Sequence, residues 1–202
     1  QILDRVARAS SIALAVASGS RGRLDVGMAG SLVYRGVPAI VQRFDTDAHG
    51  IELILHEMST AEQLQGLLHG QLDAGFLNAF VVPPQLRSLP LVDDEFVLCL
   101  PAAHRYAGAE AVDLGDLCEE RFVMFSRDVS PANYDNVIAI FSRAGVHPKT
   151  VHAARQWLTI VAMVAEGLGV SLVPRSLARS RVDNVRFVPF TGASAITPAL
   201  LV

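Results

Sequence analysis

Strand-like and helix-like segments alternate along most of this chain, the pattern of a parallel sheet covered by helices. Residues 23–28 alternate apolar and polar side chains as a short strand does. Residues 32–44 put Val33, Val37, Ile40 and Phe44 on one helical face, although Pro38 requires that helix to start late or to kink. Residues 51–56 read as a strand, 61–69 as a helix closed by Gly70, and 72–77 as a strand. The order then repeats. Residues 95–100 and 121–125 read as strands, 134–144 as an amphipathic helix (Val137, Ile138, Phe141) stopped by Gly145, and 151–153 as a strand. Residues 157–166 form a helix ended by Gly167 and Gly169, ahead of strands at 170–173 and 185–190. Two such units predict an α/β fold of two Rossmann-like lobes with a cleft between them. Open sheets of this kind bind ligands where strands end and helices begin.

The length of 202 residues accommodates two lobes of roughly 100 residues each. Hydrophobic residues at 51% and charged residues at 18% supply a large core and exclude a disordered chain. The formal net charge is -3 and no run of basic residues occurs, so this stretch is not expected to bind DNA by itself. Cys99 and Cys118 are too few for a disulfide scaffold and fit a reducing, cytoplasmic compartment. Both are expected to be buried as small hydrophobes. Residues 11–18 are apolar but far short of the roughly 20 needed to span a bilayer. Ile2, Val6, Ala9, Ala13 and Val16 recur at helical spacing and read as the end of a helix, which implies a preceding domain. With Arg5 and Arg8 before it and Ala15-Val16-Ala17 within it, the same stretch also resembles a signal-peptide core and cleavage site.

Nucleotide, zinc and hydrolase signatures are absent, and the six histidines are dispersed, so no cofactor or metal is called for. What stands out is a pair of hydroxyl-led helix starts, each just after a strand: Ser31 after Gly27-Met28-Ala29-Gly30, and Ser59-Thr60 after residues 51–56. Free N–H groups and the positive end of the helix dipole make such a start a carboxylate site. Ser59-Thr60-Ala61-Glu62 is also a capping box in form, which gives Ser59 a purely structural reading. In the second unit the loop Phe125-Ser126-Arg127-Asp128-Val129-Ser130 precedes a helix in the corresponding place. Arg127 there is suited to bidentate pairing with an acid, and Tyr134 to lying against an apolar ligand. Solvation of Arg127 and burial of Tyr134 are the plainer alternatives.

The ordered set of segments resembles the effector-binding domain of LysR-type transcriptional regulators. The residues that carry the likeness are Gly22-Arg23-Leu24-Asp25-Val26-Gly27, then Glu57-Met58-Ser59-Thr60-Ala61-Glu62-Gln63-Leu64, and Leu67-Leu68-His69-Gly70-Gln71-Leu72-Asp73-Ala74-Gly75-Phe76. Further on, Leu100-Pro101-Ala102-Ala103-His104 and Ala165-Glu166-Gly167-Leu168-Gly169-Val170-Ser171-Leu172-Val173-Pro174 continue it. Gly30-Ser31-Leu32-Val33-Tyr34 and residues 133–145 look most like regulators of aromatic and chloroaromatic catabolism. The resemblance implies a type II periplasmic-binding-protein-like fold. Residues 1–21 would be a linker-helix tail and linker, residues 22–93 plus 194–202 lobe I, and residues 94–193 lobe II. It also implies an N-terminal helix-turn-helix that makes the DNA contact, a homodimer or homotetramer, no membrane association, and a small-molecule effector of the aromatic or dicarboxylic acid kind. Carried over by match, Ser31 and Thr60 would hold the effector carboxylate, with Ser59 as the alternative. Val129, Ser130 and Tyr134 would close on it from lobe II. Asp128 beside Val129 departs from a loop friendly to anions. An extracytoplasmic solute-binding receptor shares the bilobed architecture and is the competing function. A small α/β enzyme is a further rival, though no titratable pair is placed for it.

Overall fold

The computed structural model of the protein describes residues 22–47, 50–79, 81–192 and 195–202, and the expected N-terminal helix lies outside them. From Gly22 the chain forms β1 (Gly22–Met28), a 3-10 turn (Gly30–Arg35), α1 (Val37–Asp47), β2 (Ile51–Glu57), α2 (Thr60–Leu68), β3 (Ala74–Leu77) and β4 (Leu89–Pro90). It continues as β5 (Asp94–Pro101), β6 (Val112–Asp113), β7 (Arg121–Phe125), α3 (Pro131–Arg143), β8 (Lys149–Ala154), α4 (Trp157–Ala165) and β9 (Ser171–Pro174). After a 3-10 turn (Arg175–Ser180) come β10 (Val185–Val188), β11 (Phe190–Thr191), β12 (Ile196–Thr197) and β13 (Leu200–Leu201).

The first sheet has the order β2-β1-β3-β13-β4. β1 lies parallel to β2 and to β3, and β13 is antiparallel to β3 and β4. Helix α2 docks on it through a pair of glycines. A β-carbon on Gly27 or on Gly75 would stand 2.7 Å from atoms of Gln63, whose side chain is fully buried between the two strands. In the second unit β5 pairs antiparallel with β10 and β9, while β7 and β8 pair in parallel. A bridge between Phe122 and Val170 joins the two groups of strands. Each sheet has its own core. The larger gathers β5, β7, β9, α3 and α4 around Phe122, Phe141, Leu98 and Ile160, and the smaller gathers Val26, Met28, Leu32, Val37 and Phe76. This is the two-lobed α/β arrangement that the strand and helix order predicts.

Two connections cross between the lobes. β12 pairs with the start of β5 (Ile196 with Glu95, Thr197 with Asp94), and β13 then returns to the first sheet. Leu91 N–H donates to Ala199 O at 2.8 Å, so the outgoing and returning strands are bonded to one another at the crossing.

Three details depart from the sequence reading. The segment 32–44 is not one helix, because Gly36 adopts φ +95 and separates the 3-10 turn from α1, leaving Pro38 in the helix's first turn, where its missing N–H costs nothing. The break resets the helical phase, so Leu32 and Val37 are buried whereas Val33 and Ile40 are exposed. Helix α3 begins at Pro131 rather than Tyr134. Cys99 is buried, which pushes its thiol up to about 12, but Cys118 ends a short turn and is exposed. The Gly-rich turn after α4 has a steric cause: a β-carbon on Gly169 would stand 2.4 Å from the Arg121 carbonyl oxygen, which accepts the Val170 N–H at 2.8 Å. Gly169→Ala is expected to lower the unfolding free energy by about 2–3 kcal/mol in urea titration, because backbone and not a flexible side chain must move.

Candidate functional site

The carboxyl ends of five strands meet at one cavity of ≈ 340 Å³ between the lobes. From the first lobe come Gly30 and Ser31 after β1, Glu57 to Thr60 at the end of β2, and Asn78 after β3. From the second come Phe125, Val129, Ser130 and Asn133 after β7, and Arg155, Gln156 and Trp157 after β8. A second cavity of ≈ 510 Å³ adjoins it, sharing Gly30, Ser31, Glu57, Gln156 and Trp157 and adding the apolar Val33, Leu158 and Leu177.

Hydrogen-bond chemistry fixes the direction of the polar groups on the first lobe. Arg35 carries only donors, and its Nη1 lies 3.0 Å from the Asn78 side chain, so the amide atom facing it is the oxygen. The amide nitrogen therefore faces Ser31 and donates to Ser31 Oγ at 3.2 Å, with both residues buried. Ser31 Oγ accepts, and its own proton has no acceptor among the described residues. Thr60 is held differently: its hydroxyl donates to the Asn78 backbone carbonyl at 3.2 Å, so what Thr60 offers an anion is its backbone N–H at the start of α2. Ser59 Oγ accepts from Glu62 N–H at 3.3 Å while the Glu62 carboxylate accepts from Ser59 N–H at 2.8 Å, a complete capping box. Those bonds hold Glu62 below the usual carboxylate range, with Arg155 across the cavity adding to the effect. Burial lowers the Arg35 guanidinium from its usual value, opposed by Asp94 and Asp93. Arg35 also donates to the Val92 carbonyl, in the segment between β4 and β5 that leads out of the first lobe.

On the second lobe, Trp157 is buried and stacked on Phe125 with ring centroids 4.4 Å apart, a rigid apolar wall. Ser130 precedes α3 without a side-chain cap bond and is only 7% exposed, facing the cavity. Asn133 Oδ1 accepts from Thr197 of β12 at 3.0 Å, a buried contact that ties the cavity wall to the interlobe crossing. Arg155 is ion-paired with Asp128.

Of the residues singled out from the sequence, Ser31, Ser59, Thr60, Val129 and Ser130 line the cavity, and Arg127 and Tyr134 do not. Arg127 is solvent-exposed and pairs with Asp135 at 2.9 Å. Tyr134 packs against the second core because α3 begins before it. Sequence reasoning missed Glu57, Asn78, Asn133, Arg155, Gln156 and Trp157. The strand-end rule, applied to all five strands and not only to those followed by a hydroxyl, would have found them. Among the described residues no group of three or more His, Cys, Asp or Glu is placed to hold a metal, and no helix is long and apolar enough to cross a membrane.

The family model of the LysR substrate binding domain matches residues 17–202. The chain belongs to the LysR family. It is 30% identical to the HTH-type transcriptional regulator YnfL of Escherichia coli (strain K12), covering 100% of this chain and 68% of the relative. It is 28% identical to CatR of Pseudomonas putida over 92% of this chain, and 28% identical to BenM of Acinetobacter baylyi over 98%. The chain spans 64% and 66% of those two regulators. The BenM effector binding domain with its effector benzoate superposes with a TM-score of 0.79 at 27% identity, covering 89% of this chain and 82% of that one. CbnR, a LysR family transcriptional regulator, superposes with 0.81 at 26% identity, covering 99% and 69%. These LysR neighbours share the type II periplasmic-binding-protein-like fold, and the transcriptional-regulator names of the relatives do not favour a solute receptor.

The Asn78 link has a measurable weight. Asn78→Leu is expected to lower the unfolding free energy by about 1–3 kcal/mol in urea titration, since it strands a guanidinium donor and the Ser31 hydroxyl. Asn78→Asp, which still accepts from Arg35, should cost clearly less.

Proposed function

We propose that this chain is the ligand-sensing part of a LysR-type transcriptional regulator, in which residues 22–93 with 194–202 (lobe I) and residues 94–193 (lobe II) close on a small organic acid. The observation that carries the reading is the cavity at five strand ends, lined by the buried Ser31 and Ser130 and by the start of α2. A carboxylate there is met by donors from both lobes, and the stacked Phe125–Trp157 wall receives a flat apolar body such as an aromatic ring. The domain of BenM named above was solved with benzoate, which supports an acid of that size, and full-length CbnR was solved with its target DNA. By analogy, DNA contact here falls to a helix-turn-helix domain of the same polypeptide, acting as a homodimer or homotetramer in the cytoplasm. The chain is on this reading a sensor and not a catalyst: Glu62 is committed to a cap and Arg155 to Asp128, which leaves no acid and base paired across the cavity.

Binding acts through population shift. A ligand that touches both lobes favours the arrangement in which both sets of contacts coexist, in proportion to its differential affinity. The Thr197–Asn133 bond passes any movement of the α3 start to the crossing strand. Calorimetric titration with benzoate, cis,cis-muconate and other small acids tests the site. Ser31→Ala with Thr60→Ala is expected to weaken the tightest-binding acid by at least about tenfold with folding intact, and Ser31→Ala alone to account for most of the loss, because the Thr60 hydroxyl is already spent on Asn78. Unchanged affinity in the double variant contradicts the assignment.

A further inference from the structure

The cavity holds one carboxylate that nothing among the described residues answers. Glu62 is capped by Ser59, and Arg155 is taken by Asp128, but the Glu57 side chain forms no hydrogen bond or ion pair among the described residues. It stands at the end of β2, on the partition between the two adjoining cavities. Gln156 stands opposite, just before α4, with no side-chain cap bond. Both side chains approach Gly30: a β-carbon there would stand 2.6 Å from Glu57 Oε1 and 3.4 Å from the end of the Gln156 amide, which no hydrogen bond among the described residues holds in one orientation. A carboxylate from one lobe and an amide able to turn its oxygen toward it from the other thus flank the cavity beside Gly30 and Ser31, and no donor among the described residues answers the carboxylate.

We propose that the effector is an acid that also carries a protonated amine, its carboxylate held at Ser31 and the start of α2 and its ammonium held between Glu57 and Gln156. The chemistry selects that class. A dicarboxylate would set its second charge against Glu57, and like charges at close range in a closing cleft repel. A hydroxyl has one proton and satisfies one acceptor, whereas an ammonium has three and satisfies both with charge assistance at Glu57. Because the two acceptors belong to different lobes, the ammonium is also what draws the lobes together. The buried hydroxyls of Ser31 and Ser130 facing the same cavity give the acid end of such a ligand its partners. The apolar residues Val33, Leu158 and Leu177 in the adjoining cavity leave room for its side chain.

This inference rests on the carboxylate site proposed above, and matched pairs of ligands separate the two. The protein is titrated calorimetrically with L-phenylalanine against 3-phenylpropanoate, L-leucine against 4-methylpentanoate, and 3-(aminomethyl)benzoate against 3-methylbenzoate. In at least one pair the amine-bearing member is expected to bind about tenfold tighter. Glu57→Gln, an exposed and nearly isosteric change whose folding is checked by thermal melting, should bring that ratio close to one without weakening the plain acid. If the plain acids bind in a Ser31-dependent way but as tightly as their amino partners, or if Glu57→Gln keeps the ratio, the ammonium site is overturned and the carboxylate site stands. If no member of any pair binds, both are overturned.

Discussion

The orientation of one buried amide governs what the cleft can recognise. Asn78 is bonded on one side to Arg35, which can only donate, and so on the other to Ser31, which must accept. Its backbone carbonyl takes the Thr60 proton as well. One residue after β3 thereby sets the polarity of the two hydroxyls that follow β1 and β2. Reversing the amide would place two donors face to face at Arg35 and turn the Ser31 proton inward, away from any ligand. Since Arg35 also bonds the Val92 carbonyl, the same network reaches the segment between β4 and β5 that leaves the first lobe, and the geometry of the cleft is not independent of the geometry of the crossing.

The second lobe contributes rigidity of a different kind. Trp157 is stacked on Phe125 and in contact with Phe96, so the wall opposite Ser31 is part of the core and moves only as a body. Polar groups are thus fixed by hydrogen bonds on one side of the cavity and an aromatic wall is fixed by packing on the other. The Thr197–Asn133 contact, buried at the interlobe crossing, bonds the cavity wall to a strand that connects the lobes. A site built this way is organised before the ligand arrives, which limits the entropic cost of binding.

Much of this was legible in the sequence because it depends on local pattern. The strand and helix order, the two lobes, the capping box at Ser59, and a cavity at the strand ends follow from periodicity and from turn chemistry. The segment 32–44 misled because Gly36 interrupts a pattern that reads as continuous, and a single left-handed residue rotates every side chain that follows it. The periodicity around Tyr134 and Arg127 places the end of their loop three residues too late, because Pro131 already starts α3. Once α3 starts at Pro131, Tyr134 faces the core and Asp135 is in reach of Arg127. Asn78 and Gln156 carry no signal beyond their place just after a strand. Their roles come from partners far away in the chain, 43 residues for Arg35 and 47 for Ser31 in the case of Asn78, and pairings at that separation are visible only after folding.

The central claim is that a carboxylate is held between the lobes by Ser31 and the start of α2. A crystal structure of the chain with the tightest-binding acid tests it most directly. The account predicts the carboxylate within hydrogen-bonding distance of Ser31 Oγ and the Thr60 N–H, with the body of the ligand against Trp157. A ligand seated elsewhere, for instance beside Arg175 and Arg179 on the far side of Asp94, or a carboxylate turned away from Ser31, would contradict it.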